Sequence, residues 1–136
     1  MCIRDSLLDL ARERAGTAEP VAVRDWALLE TLYATGVRVS EVCSAVLTDL
    51  DLAERTMHVV GKGDKERVVP FGLPARDALA AWLDVRPQVA HATSPGTVFL
   101  GVRGGHRSGG HAQRCHLVQV RRHYRSVLHA RGWASA

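Results

Sequence analysis

The sequence predicts a single α+β domain that is mainly helical and carries one small antiparallel sheet. Several stretches place apolar residues at the three- and four-residue spacing of helices. Two short apolar runs flank a Gly-Lys-Gly-Asp turn, the pattern of a β-hairpin. A chain of 136 residues with 46% hydrophobic residues is the size of one ordinary domain and can bury a core.

Three helices are predicted in the first third of the chain. Residues 1–6 continue no pattern and are left unassigned, an artefact of cloning or assembly being one interpretation, so the domain is taken as 7–136. The first helix runs over 7–15. The second runs over 21–35 and ends at Gly36, since glycine commonly terminates helices. Its apolar face combines Leu28, Leu29, Leu32 and Tyr33. The third helix is predicted over 39–46.

The middle of the chain predicts a turn and then the hairpin. Residues 48–53 are polar and turn-like. The strands cover 57–60 and 68–69, and glycines at 61 and 63 permit the positive φ angles that a tight turn needs. The hairpin therefore presents Lys62 at its tip.

A helix, a strand and a basic helix are predicted in the remainder. The helix covers 74–85, a loop covers 87–96, and 98–100 is a short buried strand expected to pair with the hairpin sheet. A glycine-rich connection over 101–110 precedes a last helix over 112–131. The buried face of the first of these helices is predicted to hold Ala75, Ala78, Leu79, Trp82 and Leu83.

Composition excludes several classes of protein. No apolar run approaches the roughly 18 residues that a membrane span requires, and no signal-peptide layout is visible, so a cytoplasmic protein is expected. Cys2, Cys43 and Cys115 are odd in number and widely spaced. They suggest neither a disulfide framework nor a zinc site, and we expect no metal or other cofactor.

Charge is distributed unevenly along the chain. Residues 1–100 contain 11 Lys and Arg against 14 Asp and Glu, a net charge of −3, whereas 101–136 contain seven arginines and no acid. Such a one-sided segment is typical of a surface that binds a polyanion such as nucleic acid, although a solvated basic helix is an equal alternative.

Two cations are placed where a phosphate could bind. Arg38 lies near the start of a helix and Lys62 at a hairpin tip; a guanidinium binds two oxygens at once, and an ammonium can donate a proton. Glu41 is expected to hold the Arg38 guanidinium by an i,i+3 contact. Lys65 and Arg67 are expected to contact a phosphate backbone. A Walker A loop is rejected because no Ser or Thr follows Lys62.

These two motifs resemble a known family. The sequence Tyr-Ala-Thr-Gly-Val-Arg-Val-Ser-Glu over 33–41, with Gly-Lys-Gly-Asp-Lys-Glu-Arg over 61–67, is similar to the catalytic domain of tyrosine recombinases. Within that family the bacterial Xer-type enzymes, which resolve chromosome dimers, are most similar. The resemblance covers about 7–133.

The resemblance implies DNA recombination and integration through a covalent phosphotyrosine link, without metal or nucleotide. It gives Arg38 the role of the first phosphate-binding arginine and Lys62 that of the lysine that protonates the leaving 5′ hydroxyl. Glu41 would support them. The implied partners are double-stranded DNA and other recombinase subunits, which assemble as a tetramer on DNA in this family. Arg121, Arg122 and Arg125 of the last helix are further candidates for DNA contact.

The family also requires residues that are not recognised in this chain. A helical core-binding arm, a His-x-x-Arg segment and a nucleophilic tyrosine are missing from residues 1–136. His111 and Arg114 have the right spacing but precede the last helix, and Tyr33 and Tyr124 fit core positions. We therefore interpret the chain as a partial catalytic domain and expect no strand cleavage by it alone.

Two other hypotheses stay open. The chain could be a non-catalytic DNA-binding or partner-binding module that uses only the basic last helix. Alternatively, it could fail to fold stably, because missing helices would leave apolar surface uncovered.

Overall fold

The computed structural model describes residues 3–17, 19–90 and 96–100. Four helices are present there, namely α1 (Ile3–Ala15), α2 (Pro20–Thr35), α3 (Val39–Ser44) and α4 (Leu73–Val85). Three strands form a sheet, namely β1 (Leu50–Asp51), β2 (Thr56–Val60) and β3 (Glu66–Pro70). The predicted mainly helical α+β fold is confirmed. The predicted strand at 98–100 is not found, and the predicted helix at 112–131 lies outside the described residues.

Helix α2 is the centre of the fold, with α1 and α4 packed against it. A proline occupies its first turn, where the missing N–H costs no hydrogen bond. The helix ends as predicted at Gly36, whose φ of 65° is left-handed and whose N–H donates to the Leu32 carbonyl. Its core-facing apolar side chains include Val23, Ala27, Leu28 and Leu29.

Several element boundaries differ from the prediction. Helix α1 begins at Ile3, four residues before the apolar cluster that marked it, because terminal turns need no apolar residue to continue a helix. Helix α3 ends at Ser44, where the backbone at Ala45 turns extended. The polar stretch 48–53, predicted as a turn, contains a 3-10 turn over Leu47–Asp49 followed by strand β1. A second 3-10 turn, Arg86–Gln88, occupies the start of the predicted loop.

The sheet is antiparallel in the order β1-β2-β3. Strand β2 lies in the middle and pairs with β3 in a register that sets Val59 opposite Arg67 and Val60 opposite Glu66. Met57 and Val59 are buried on one face of β2. The opposite face of the sheet, which includes Val60 of β2 and Val68 of β3, is exposed. The sheet therefore covers the core with one face only.

The expectation of a strand at 98–100 is wrong, although the burial predicted for it is correct. Val98, Phe99 and Leu100 are each at most 2% exposed, but the segment does not join the hairpin sheet. An isolated bridge joins Thr97 to Val46, and the Val98 N–H donates to the Ala45 carbonyl.

Side chains satisfy the carbonyls that a sheet would otherwise have bound. Trp82 Nε1 donates to the Val98 carbonyl at 2.7 Å, and Arg86 Nη2 donates to the Thr97 carbonyl at 2.7 Å. Arg24 Nη1 donates to the Leu100 carbonyl at 2.9 Å. A buried segment needs partners for its backbone, and here side chains of α2, α4 and the Arg86–Gln88 turn supply them.

Helix α4 buries the face that its spacing predicts. Ala75, Ala78, Leu79 and Trp82 are at most 1% exposed, and Leu83 is partly buried against them. Among the described helices, none is long and apolar enough to cross a membrane.

Candidate functional site

Arg38 lies at the junction between α2 and α3. The left-handed Gly36 ends α2 and redirects the chain, and Arg38 then takes an extended conformation, with φ −71° and ψ 147°, as the residue that precedes α3. Its side chain is exposed. Across the described ranges, its guanidinium forms no hydrogen bond or ion pair with another side chain. The guanidinium is therefore available to a ligand.

Lys62 lies at the tip of the β2–β3 hairpin and is exposed. The Gly61 N–H donates to the Lys65 carbonyl at 2.7 Å and closes the turn. Positive φ angles occur at Gly63 (74°) and Asp64 (56°). The prediction of positive φ is thus correct for Gly63 and wrong for Gly61, because the second left-handed residue of the turn is the aspartate.

Glu41 does not hold the Arg38 guanidinium, so that expectation is wrong. Its Oε2 accepts from Arg67 Nη1 at 2.6 Å and its Oε1 from Arg67 Nη2 at 3.2 Å, a two-point ion pair. Its Oε1 also accepts from the Arg38 backbone N–H at 3.0 Å. A glutamate in the first turn reaches back to the free N–H at the helix start, and the carboxylate is then directed toward β3 rather than along its own helix.

The surroundings of Glu41 favour its charged form. Its side chain is only 6% exposed. Hydrogen bonds from the Arg67 guanidinium, and then from the Arg38 N–H, hold the pKa of Glu41 below its usual value, and burial opposes them only in part. The hydrogen bond to Glu41 in turn raises the pKa of Arg67. The charge of Arg38 makes a further, smaller contribution to the lowered pKa of Glu41.

Gly61 joins the hairpin tip to this ion pair. A Cβ atom at Gly61 would lie 3.4 Å from both Arg67 Nη1 and Glu41 Oε2. The main chain immediately before Lys62 therefore packs over the pair, while Arg38 is bound to the same carboxylate through its N–H. The residues that carry the two predicted cations are thus both adjacent to one ion pair, formed by the buried Glu41 and the half-exposed Arg67.

The remaining predicted residues have different positions. Lys65 is exposed beside Lys62 at the hairpin tip. Arg67 is committed to Glu41, although its side chain stays 47% exposed. Arg121, Arg122 and Arg125 lie outside the described residues, as do His111 and Arg114. In the part of the chain that the structure describes, no group of three or more His, Cys, Asp or Glu side chains could hold a metal ion.

A buried ion pair on α2 was not predicted from the sequence. Arg24 and Asp25 have side chains 1% exposed, with Nη2 2.9 Å and Nε 3.2 Å from Oδ1 of the carboxylate. The only signal in the sequence that could have indicated this pair is that two adjacent, oppositely charged residues interrupt an otherwise apolar part of the predicted second helix. Arg86 was also missed; burial lowers the pKa of its guanidinium, which binds the Thr97 and Val98 carbonyls.

The lowered pKa of Glu41 predicts a pH-dependent contribution to stability. Because its folded pKa lies below the usual value of 4.5, the carboxylate stabilises the fold fully above that pH and loses this effect as the pH falls through the folded pKa. We expect the difference in free energy of unfolding between the unmodified chain and Glu41→Gln to be constant above about pH 5.5 and to shrink in more acidic solution. Urea unfolding at several pH values measures it, and a difference that grows toward acid would contradict the assignment.

Comparison with known proteins identifies relatives over most of the chain. The model of the phage integrase family matches residues 5–133. The tyrosine recombinase XerC of Mycobacterium sp. (strain KMS) is 50% identical over 102 residues, which cover 74% of this chain and 34% of that protein. The chain thus spans about a third of the length of the curated relatives it matches.

Two solved structures are similar to this fold. The crystal structure of XerA recombinase has a TM-score of 0.66 at 23% identity, covering 90% of this chain and 41% of the other. The XerH site-specific recombinase bound to a palindromic difH substrate in a post-cleavage complex has a TM-score of 0.55 at 25% identity, covering 72% and 29%.

Proposed function

The chain belongs to the phage integrase family and is similar to its Xer tyrosine recombinases; on this premise, we propose that it forms part of the catalytic domain of a site-specific DNA recombinase. The reaction proposed for the whole protein is cleavage and rejoining of DNA strands through a phosphotyrosine link. The observation that supports this proposal is that one ion pair, Glu41–Arg67, contacts both motifs: Glu41 binds the Arg38 N–H, and Gly61, the residue before Lys62, lies beside the pair.

The proposed chemistry assigns each cation a role at one backbone phosphate. The Arg38 guanidinium binds two non-bridging oxygens and stabilises the charge that develops on them. The Lys62 ammonium donates a proton to the leaving 5′ oxygen. Glu41 supports both by ordering the main chain around them. We assign the nucleophile to none of residues 1–136, because Tyr33 packs against the core and the sequence places Tyr124 on the apolar stripe of the predicted last helix. We therefore propose that the chain alone leaves DNA uncut.

The partners follow from the same proposal. The ligand is duplex DNA, as the XerH relative is bound to its difH substrate, and further recombinase subunits complete the assembly. The process would be resolution of chromosome dimers before cell division, in the cytoplasm. No cofactor enters the proposed reaction.

Salt-dependent DNA binding tests the two cations. Binding to about five phosphates gives a slope near −4.5 for log affinity against log salt concentration, and removing one phosphate-binding cation makes the slope shallower by about 0.9. We therefore expect Arg38→Ala and Lys62→Ala each to weaken binding of a 30-base-pair duplex and to reduce the slope by about that amount. Fluorescence anisotropy titrations of the full chain at four salt concentrations measure both quantities.

A matched control is available on α4. Arg76 is an exposed arginine paired with its neighbour Asp77, and Arg76→Ala removes the same charge outside the proposed site. Equal effects of Arg76→Ala and Arg38→Ala would show that only net charge matters and would overturn the proposal.

A second candidate function is a non-catalytic DNA-binding module. The segregation of seven arginines and no acid into residues 101–136 favours it. In that case Arg121, Arg122 and Arg125 carry the affinity, and alanine at these positions flattens the salt slope while Arg38→Ala and Lys62→Ala leave it unchanged. The same titrations therefore separate the two functions.

A further inference from the structure

We propose that Arg67 is a positioning residue, which fixes the β2–β3 hairpin and its Lys62 against the start of α3 through Glu41. This inference rests on the proposed function only where it gives Lys62 a role at a phosphate. That the Glu41–Arg67 pair immobilises the hairpin tip is inferred from the geometry of the protein without DNA and does not depend on the proposed function.

The register of the hairpin directs Arg67 toward α3. Side chains alternate between the two faces of a strand, and Arg67 pairs with Val59, which is 2% exposed on the core face. Its neighbours Glu66 and Val68 take the opposite, solvent face, where they are 68% and 63% exposed. Arg67 is thus the one cation on the inner face of the β2–β3 pair, whose other members are Met57, Val59 and Val69. Its guanidinium binds the buried carboxylate of Glu41 on α3.

Glu41 distributes its two oxygens between the two elements. Oε1 and Oε2 both bind Arg67 of β3, and Oε1 also binds the N–H of Arg38 at the start of α3. The Glu41 carboxylate therefore fixes the main chain of Arg38, the first cation. It also fixes strand β3, which follows the hairpin tip that carries Lys62, the second cation. Gly61 packs against both members of the pair, which places the contact directly beside Lys62.

The same contacts argue against Arg67 as a primary phosphate ligand. Two of its guanidinium nitrogens donate to Glu41, whose negative charge lies 2.6 Å away and offsets the attraction that Arg67 would exert on an anion. Lys62 and Lys65 at the tip are also exposed but, among the described residues, form no ion pair with a carboxylate. A positioning role also explains why residue 67 is an arginine and not a lysine. The planar guanidinium binds both oxygens of Glu41, whereas an ammonium provides only a single point of charge.

The first experiment measures the hairpin without DNA. Backbone ¹⁵N order parameters of Lys62 to Asp64 are compared between the unmodified chain and the variants Arg67→Gln, Arg67→Lys and Glu41→Gln. We expect values near 0.85 in the unmodified chain to fall toward about 0.6 in all three variants. Lys65→Gln, which removes a neighbouring exposed cation, is the matched control and leaves them unchanged. Unaltered order parameters in Arg67→Gln would overturn the proposal.

The second experiment uses DNA binding, and Glu41→Gln is its decisive variant. Removing a negative charge should strengthen binding to a polyanion if charge alone matters. A positioning role predicts the opposite: Glu41→Gln and Arg67→Gln each weaken binding as much as Lys62→Ala, and the double variant Glu41→Gln/Arg67→Gln is no weaker than either single one. Additive losses, or tighter binding by Glu41→Gln, would overturn the positioning role.

The two experiments distinguish failure of this inference from failure of the proposed function. In one outcome, Arg67→Gln makes the hairpin tip mobile and Lys62→Ala leaves the DNA affinity unchanged. That result supports the immobilising role of Arg67 and refutes the role of Lys62 at a phosphate. A rigid tip in Arg67→Gln, together with affinity that depends on Lys62, refutes the inference and leaves the proposed function intact.

Discussion

The Asp25→Asn variant is expected to lose about 3–5 kcal/mol of its free energy of unfolding, because it removes the negative charge beside a buried guanidinium. Both side chains of the Arg24–Asp25 pair are 1% exposed, and Arg24 also binds the Leu100 carbonyl. The expected loss is a large share of the roughly 5–15 kcal/mol by which domains are stable. Urea unfolding followed by circular dichroism at neutral pH measures it.

The chain contains a matched control for this prediction. Arg76 and Asp77 on α4 are also adjacent and form an ion pair of 2.8 Å, but their side chains are 45% and 60% exposed. Asp77→Asn should therefore cost about 0–1 kcal/mol. The two ion pairs share the same sequence spacing and a similar distance, so a difference between their losses of stability reports the effect of burial. Similar small losses in both variants would show that Asp25 is not needed to balance Arg24.

Much of the fold was predictable because its signals are local. The extent of α2 and its end at Gly36 follow from periodic apolar residues and from a left-handed glycine. The buried face of α4 follows from the same spacing. The hairpin follows from two apolar runs around glycines, although one of its two left-handed residues is Asp64 rather than Gly61. The two motifs also identified the family, which the comparison with known proteins confirmed.

What could not be predicted depends on contacts between distant parts of the chain. The i,i+3 rule proposed Arg38 as the partner of Glu41, but the pair that forms joins residues 26 positions apart and requires the hairpin to fold over α3. Likewise, the apolar run at 98–100 predicted burial correctly and pairing wrongly. A short buried segment can satisfy its backbone with side chains, and sequence periodicity does not distinguish that case from a strand.

Trp82 joins helix α4 to residues 97–100 through a hydrogen bond and a ring contact, which predicts a second large effect. Its side chain is fully buried, its Nε1 donates to the Val98 carbonyl at 2.7 Å, and its ring stacks on Phe99 with centroids 6.4 Å apart and planes at 9°. Trp82→Ala removes both the packing and the donor, and we expect a loss of about 3–5 kcal/mol in the free energy of unfolding.

Trp82→Phe separates the two contributions, because it keeps an aromatic ring and removes the N–H. We expect it to cost about 1–3 kcal/mol, toward the lower end since Arg86 Nε still donates to the same carbonyl at 3.2 Å. Leu73→Ala, at a 51% exposed position of the same helix, should change stability by no more than about 0.5 kcal/mol. Urea unfolding of the three variants measures the series. Equal losses for Trp82→Ala and Trp82→Phe would mean that the hydrogen bond, rather than the packing, holds residues 97–100 against α4.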